Sequence, residues 1–201
     1  MSDPVSDQGS ARDEILARVR SATAMAPPVE YAAPARTTAV GSVDLFVERV
    51  EDYRAVVERC AGSELTARVA AAVEGRSVVV PEGLAVGVPG ALVDAGLSAK
   101  ELDSIDAVVT EATVGIAETG TIVLSHGAGQ GRRAITLVPD RHVCIVRADQ
   151  IVADVPDAVV LLDPSRPLTW ISGPSATSDI ELSRVEGVHG PRQLHVIVVD
   201  D

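Results

Sequence analysis

Aromatic residues, cysteines and lysines are all scarce in this chain of 201 residues. With one Trp, two Tyr and one Phe, the core has to be built from Val, Ala, Leu and Ile, and the chain lacks the exposed rings that stack single-stranded nucleic acid. The two cysteines, Cys60 and Cys144, are too few to hold a conventional iron–sulfur centre. The single lysine, Lys100, has no glycine-rich run before it, which excludes the common phosphate-binding loop.

Long apolar runs and an excess of positive charge are also missing. The net charge of −12 repels phosphate backbones and anionic lipids, so we expect neither nucleic acid nor a membrane as partner. Residues 1–8 show no basic segment followed by an apolar stretch, and hence no secretory signal. Two lone thiols are compatible with a reducing compartment. We therefore expect a cytoplasmic protein.

Two regions of the chain differ in composition. We expect residues 1–41 to form a tail, a short helix over residues 12–22 and a strap rich in proline and alanine. Residues 42–201 are long enough for one compact α/β domain with a normal apolar core.

Helical spacing and capping residues predict four further helices. Apolar residues recur every three to four positions after Ser42, a candidate N-cap, as far as Val57, and Gly62 ends this helix. A second such segment begins at Ser63 and ends at Gly75. The other two are a short helix with a capping box at residues 98–101 and a helix over residues 154–163 with a proline in its first turn.

The second half of the chain consists largely of β-branched runs separated by turn residues. Strands that are apolar on both sides indicate a sheet covered by helices, and the alternation of helices with strands indicates an α/β fold with a mixed sheet flanked by helices. The predicted strands span residues 77–80, 105–110, 113–117, 121–125, 134–138, 142–146, 168–172 and 194–199.

A carboxylate occupies a tight turn between two of these strands. Glu118, followed by Thr119 and Gly120, lies where it can act as a nucleophile, a general acid or base, or a ligand for a substrate hydroxyl. Glu118 is therefore a candidate catalytic residue, and Thr119 and Gly120 are candidate substrate contacts. A turn carboxylate that only accepts backbone N–H bonds would give the same pattern.

A glycine-rich segment, residues 127–131, precedes Arg132 and Arg133. It resembles part of a dinucleotide fingerprint, but the following residues predict a strand rather than the helix whose N-terminus would hold a pyrophosphate. We expect a flexible hairpin loop whose two guanidinium groups close on an anionic substrate. A solvated pair of arginines at the end of a loop is the alternative.

The segment after the strand at residues 168–172 is rich in hydroxyl groups. A Gly-Pro turn and free backbone amides just beyond the carboxyl end of a strand suit a carboxylate or a phosphate, although such a loop also satisfies itself through Ser, Thr and Asp side chains. His189, in a loop flanked by glycines, is a candidate catalytic residue, and no spacing predicts a metal site. The candidate substrate contacts here are Ser172, Gly173, Ser175, Thr177 and Asp179.

Together these motifs resemble the lactate utilization protein C family, also described as the LUD domain. The match is dense from about residue 105 to residue 201 and rests upstream on the helical layout alone. The matching motifs are the Glu-Thr-Gly turn in residues 115–121, the Gly-Arg pair at 131–132 leading to 137–139, the strand 142–146, the segment 171–181 and the segment 189–191.

The resemblance implies a fold similar to the NagB/RpiA/CoA-transferase group and a role as one subunit of a three-component system that oxidises L-lactate to pyruvate. It implies that partner proteins carry the iron–sulfur clusters and that this chain holds no cofactor of its own. A small 2-hydroxy acid would bind between Glu118, the arginine loop, residues 172–179 and His189. Two alternatives stay open: a CoA-transferase-like or sugar-phosphate-type enzyme in which Glu118 is the nucleophile, and a non-catalytic adaptor.

Overall fold

The computed structural model describes residues 11–25, 40–177, 185–186 and 190–200. Contacts divide the chain into two units, residues 1–35 and residues 36–201. Most of the predicted strap, residues 26–39, lies outside the described residues.

The first unit contains helix α1 (Ala11–Thr23), which confirms the helix predicted over residues 12–22. Glu14 and Arg18, one turn apart, form an ion pair with 2.6 Å between Oε1 and Nη2. Both side chains are exposed, so this pair contributes a few tenths of a kcal/mol, about 0.3, to the helix.

The second unit contains helices interspersed among strands, with a run of successive strands from β4 to β8, as the sequence predicts. The helices are α2 (Val43–Asp52), α3 (Leu65–Ala72), α4 (Ala99–Asp103) and α5 (Val155–Leu161). The strands are β1 (Val56–Ala61), β2 (Val78–Val80), β3 (Leu92–Val93), β4 (Ala107–Glu111), β5 (Val114–Ile116), β6 (Thr121–Leu124), β7 (Arg141–Arg147), β8 (Ile151–Val152), β9 (Thr169–Ile171), β10 (Ala176–Thr177), β11 (Val185–Glu186) and β12 (Gln193–Asp200).

The strands form two main sheets. Six of them pair in parallel in the order β1-β12-β7-β4-β2-β3. A four-stranded sheet has the order β8-β5-β6-β9, in which β5 and β8 are parallel and the other pairs antiparallel. Strands β10 and β11 form a separate antiparallel pair. The predicted α/β class is confirmed, with the mixed pairing confined to the smaller sheet.

Both faces of the six-stranded sheet are covered by apolar layers. One face packs on α3 through a cluster that includes Val69 and Val143. The opposite face packs on α2 and on the smaller sheet, through Phe46 and Ile122 among others. Helix α5 covers the outer face of the smaller sheet, where Ala158 is fully buried. This layering explains why the central strands are apolar on both sides.

The helix predicted from Ser42 to Gly62 is wrong in its second half. Helix α2 ends at Asp52, and Arg54 adopts a left-handed conformation with φ of 65°. The following residues form β1, which pairs in parallel with β12 along its whole length. Val56 and Val57 also suit a strand, and pairing with β12 outweighs their helical spacing.

The strand predicted over residues 134–138 is also wrong. Residues Arg133–Thr136 form a short 3₁₀ helix, whose turn is closed by the backbone bond from Ile135 N–H to the Arg132 carbonyl at 3.2 Å. The apolar pattern arises because Ile135 is buried against Val79, Leu102 and Val108. The backbone groups are satisfied locally, and therefore need no partner strand.

Candidate functional site

A cavity of about 290 Å³ lies between the amino ends of β7 and β12 and the loop that follows β9. We call it the Arg133 cavity. Its size is at the lower end of the range for small-molecule sites. The described residues that line it are Arg133, Thr136, Leu137, His142, residues 169–175, Gly190, Pro191 and Leu194.

The Arg133 cavity combines one positive charge with several hydroxyl groups. Among the described lining residues, Arg133 carries the only formal charge, and hydroxyl groups come from Thr136, Thr169, Ser172 and Ser175. A guanidinium group beside hydroxyl groups recognises a carboxylate or a phosphate through charge-assisted hydrogen bonds. The cavity is therefore suited to a small anion.

His142 contributes a buried part of the cavity wall. The residue is 1% exposed, and its Nε2 lies 2.8 Å from Oγ1 of Thr110, which is itself fully buried. Burial lowers the pKa of His142 to about 4, so the imidazole is neutral at physiological pH. A neutral imidazole has one N–H donor and one nitrogen that accepts a hydrogen bond.

The buried His142 makes the folded state sensitive to acid. The imidazole of His142 has a pKa of about 6.5 in the unfolded chain and of about 4 in the folded protein. Between these two pH values the unfolded chain binds a proton that the folded protein does not bind. The stability of the fold therefore falls as the pH decreases from about 6.5 to about 4. We expect His142 to lower the free energy of unfolding by about 2 kcal/mol between pH 7 and pH 5. Urea denaturation of the wild type and of His142→Gln at both pH values measures this contribution. An equal loss in the two proteins would contradict it.

Arg132, the other predicted arginine, is engaged in a structural ion pair. Its Nε and Nη2 lie 2.6 and 2.9 Å from the carboxylate oxygens of Asp94, and Nη2 also donates to the carbonyl of Leu97. The Asp94 side chain is only 5% exposed. The Arg132 guanidinium and the backbone N–H groups of Leu97 and Gly96 hold the pKa of this carboxyl below its usual range. Of the predicted pair, Arg133 alone lines the Arg133 cavity.

The turn that carries Glu118 is connected to the cavity by hydroxyl groups. Oγ1 of Thr119 donates to Oγ1 of Thr121 at 2.8 Å, and that oxygen lies 2.8 Å from Oγ of Ser172 on the cavity wall. Glu118 itself is exposed, and its backbone N–H donates to the Ala153 carbonyl at 3.0 Å. The structure thus places Thr119 behind the wall and Glu118 outside the described lining residues.

Gly120 and Gly173 allow two loops to approach helix α2 closely. Gly120 has φ of +61°, and a Cβ there would lie 2.7 Å from Cβ of Arg49 and 2.8 Å from its carbonyl carbon. Gly173 has φ of +116°, and its Cβ would lie 2.7 Å from Cβ of Tyr53. The hydroxyl of Tyr53 in turn donates to the Thr119 carbonyl at 2.8 Å. Gly120 therefore positions the turn, whereas Gly173 both positions its loop and lines the cavity.

The glycine segment 127–131 is held by hydrogen bonds at the carboxyl ends of β2 and β4. The N–H of Gly129 donates to the Glu82 carbonyl at 3.0 Å, and the Gly129 carbonyl accepts from the Glu111 N–H at 2.8 Å. The adjacent Gln130 side chain lies 2.7 Å from the backbone N–H of Ser125. The segment is followed by Arg132, which pairs with Asp94, and by Arg133, which is one of the residues that line the cavity.

Two predicted residues, Asp179 and His189, lie outside the described residues. Thr177 belongs to the short strand β10. The predicted residues that the structure brings together around the cavity are Arg133, Ser172, Gly173 and Ser175.

His142 was missed as a site residue because the motif that contains it, residues 142–146, predicts a buried strand and gives the histidine no role. Its neighbours in that strand are Val, Cys, Ile and Val. A single polar residue in a strand buried on both faces needs a hydrogen-bond partner, and this was the available signal. Trp170, which also lines the cavity, gives no comparable signal.

Both cysteines are buried, and burial raises the pKa of each thiol, for Cys144 to about 12. They are protonated at physiological pH, so neither supplies a thiolate nucleophile. Within residues 11–25, 40–177, 185–186 and 190–200, no three His, Cys, Asp or Glu side chains are grouped as a metal site requires.

Fold and cavity together define an α/β protein with a small cavity lined by an arginine and hydroxyl groups, and comparison with known proteins gives its family. The model of the LUD domain matches residues 96–199. Lactate utilization protein C of Deinococcus radiodurans is 46% identical over 94% of this chain and 95% of that protein. Its namesake from Shouchella clausii is 35% identical, and the match covers 54% of this chain but only 50% of that protein. The chain belongs to the LUD domain family, as its motifs suggest.

A solved structure shares the fold. The crystal structure of a DUF162 family protein from Deinococcus radiodurans has a TM-score of 0.67 and 42% identity, and the match covers 78% of this chain and 95% of that one. In the part of the chain that the structure describes, no helix has the length and apolar character needed to cross a membrane.

Proposed function

We propose that this chain takes part in lactate utilization as the subunit without iron–sulfur clusters of a system that oxidises L-lactate to pyruvate. The oxidation removes two electrons and two protons from lactate, and we assign the electrons to iron–sulfur clusters of cytoplasmic partner proteins. The names of the relatives support the substrate class. Both cysteines of this chain are buried in its core, which favours partner proteins as the holders of the clusters.

The observation that carries the proposal is the composition of the Arg133 cavity. Lactate has one carboxylate and one hydroxyl group on adjacent carbons. The cavity offers a guanidinium group for the carboxylate, and Ser172, Ser175 and Thr169 for further hydrogen bonds. A small cavity with one cation and several hydroxyl groups suits a monoanionic hydroxy acid better than a large polyphosphate cofactor.

Replacing Arg133 by methionine is expected to weaken L-lactate binding about 30-fold. The guanidinium bond to the carboxylate is charge-assisted and contributes about 2 kcal/mol. Isothermal titration calorimetry with the purified full chain measures the affinity. Arg68→Met, on the exposed surface of α3 and outside the described lining of the cavity, makes the same charge change and should bind like the wild type. Equal affinities for Arg133→Met and the wild type would contradict the assignment.

The role in the system is tested in the host that encodes the chain. Deletion of the gene should abolish growth on L-lactate, and normal growth of the deletion strain would refute the proposal. A tagged copy recovered from lactate-grown cells should bring down brown, cluster-bearing partners. Recovery of a colourless protein alone would favour an independent enzyme, and acyl transfer by the wild type that is lost in Glu118→Gln would identify the transferase alternative.

A further inference from the structure

A row of polar side chains crosses an otherwise apolar face of the six-stranded sheet next to the Arg133 cavity. His142 and Cys144 lie two positions apart on β7 and so share one face, and Thr110 of β4 stands opposite Cys144 in the parallel register. All three residues are buried to 1% exposure or less. Polar groups in such a place are retained only when their hydrogen bonds are satisfied.

The hydroxyl of Thr110 sets the direction of these bonds. Its Oγ1 donates to Sγ of Cys144 at 3.8 Å and lies 2.8 Å from Nε2 of His142. A hydroxyl group has a single proton, so an oxygen that donates to sulfur accepts from the imidazole. In this arrangement Nε2 of His142 carries the ring proton. In a neutral imidazole this leaves Nδ1 without a proton, as the one nitrogen free to accept a bond on a ring that lines the cavity.

We propose that His142 carries its ring proton on Nε2 and that its Nδ1 accepts a hydrogen bond from the hydroxyl group of a 2-hydroxy acid whose carboxylate is held by Arg133, so that the cavity prefers L-lactate to pyruvate. This inference rests on the proposed function and names the group that selects the reduced acid. The hydroxyl of lactate has a proton to donate to Nδ1. The keto oxygen of pyruvate has none, and would place its lone pairs against those of the nitrogen.

The size of the preference follows from the cost of an unpaired buried acceptor. A site that is built to bind a hydroxyl group rejects the analogue that lacks its proton, because the buried partner then stays unpaired. We expect the wild type to bind L-lactate roughly tenfold or more tightly than pyruvate. His142 is here a binding and positioning residue, and no bond to the substrate is made or broken in this step.

The proton on the imidazole can be observed without any ligand. Nitrogen-15 spectra of the full chain with labelled histidine should show one neutral ring that has its proton on Nε2 and none on Nδ1. The signal is assigned to His142 by its disappearance in His142→Gln. A ring with its proton on Nδ1, or with both nitrogens protonated near pH 7, would overturn the inference whether or not lactate binds.

The preference is measured by calorimetric titration of L-lactate and pyruvate in the wild type, His142→Gln and Thr110→Val. Glutamine can keep the contact with Thr110 but has no atom at the position of Nδ1, and valine removes the hydroxyl group that fixes the ring proton. Both variants should bind the two acids with similar affinity. The ratio of the two affinities is unaffected by a change in the folded fraction, so a destabilised variant still gives a valid answer.

The outcomes separate this inference from the proposed function. Equal binding of both acids by the wild type, or an unchanged preference in both variants, overturns the role of His142 while the role of Arg133 stands. Failure of the wild type to bind either acid overturns the proposed function and the preference with it, and the nitrogen-15 spectrum then reports on the ring proton alone.

Discussion

Replacement of Arg132 by methionine is expected to lower the free energy of unfolding by about 3 kcal/mol. The variant leaves the carboxylate of Asp94, whose side chain is 5% exposed, without its two bonds from the guanidinium group. Backbone N–H groups of Gly96 and Leu97 still bond to this carboxylate, and Arg132 is itself 41% exposed. We therefore place the loss at the lower end of the range for breaking a buried ion pair.

Arg133→Met is the matched control for this prediction. The two arginines are adjacent, both variants remove one positive charge, and both introduce the same side chain. Denaturation in urea should give a large loss for Arg132→Met and a change within about 0.5 kcal/mol for Arg133→Met, whereas lactate binding should be lost mainly in Arg133→Met. Equal stability of the two variants would show that the Arg132–Asp94 pair contributes little to the fold.

This contrast shows where sequence reasoning about the site stops. The sequence gives two consecutive arginines after a glycine segment and predicts one anion-binding pair. The two arginines have different roles because Arg132 pairs with Asp94, which lies 38 positions earlier in the chain. The parallel pairing of β2 and β3 brings Asp94 close to Arg132. Local sequence patterns contain no information about such a contact, and therefore cannot separate a structural arginine from a ligand-binding one.

Local signals predicted the starts of α2, α4 and α5 well, whereas Ser63, a candidate cap for α3, forms no cap there. The hydroxyl of Ser42 accepts from the N–H of Leu45 at 3.2 Å, and Ser98 forms the expected capping box with Glu101. Asp154 caps α5, which has a proline in its first turn. These bonds join residues three positions apart, so short sequence windows contain both partners. The end of α2 at Asp52 was missed because it depends on the pairing of β1 with β12, from the other end of the chain.

In the candidate site, too, the sequence predicts what depends on neighbouring residues and misses what depends on residues far apart in the chain. The hydroxyl-rich loop with Ser172, Gly173 and Ser175 lies on the Arg133 cavity, as its composition suggests. Glu118 is a conspicuous carboxylate in the sequence but is exposed outside the described lining residues. His142 is inconspicuous in the sequence, and becomes a site residue only because β4, β7 and β9 are brought together.

Gly120→Ala is expected to cause the largest loss of stability, about 4 kcal/mol. The left-handed backbone, with φ of +61°, already disfavours any side chain. The added Cβ would also lie 2.8 Å from the carbonyl carbon of Arg49 and 2.9 Å from the backbone nitrogen of Val50. These atoms belong to the backbone of the last turn of helix α2, so no side-chain rotation relieves the contact, and either the turn or the helix has to move.

Gly75→Ala separates the two causes of this loss. Gly75 has a similar left-handed conformation, with φ of +70°, but a Cβ there would meet no heavy atom within 4 Å. It should therefore cost only the backbone strain, about 1 kcal/mol, in the same urea titration. Similar losses for both variants would mean that α2 gives way to the alanine. A much larger loss of stability in Gly120→Ala would show that the turn is fixed against α2. Displacement of the turn should then also weaken lactate binding, because Thr119 and Thr121 connect it to Ser172 in the cavity wall.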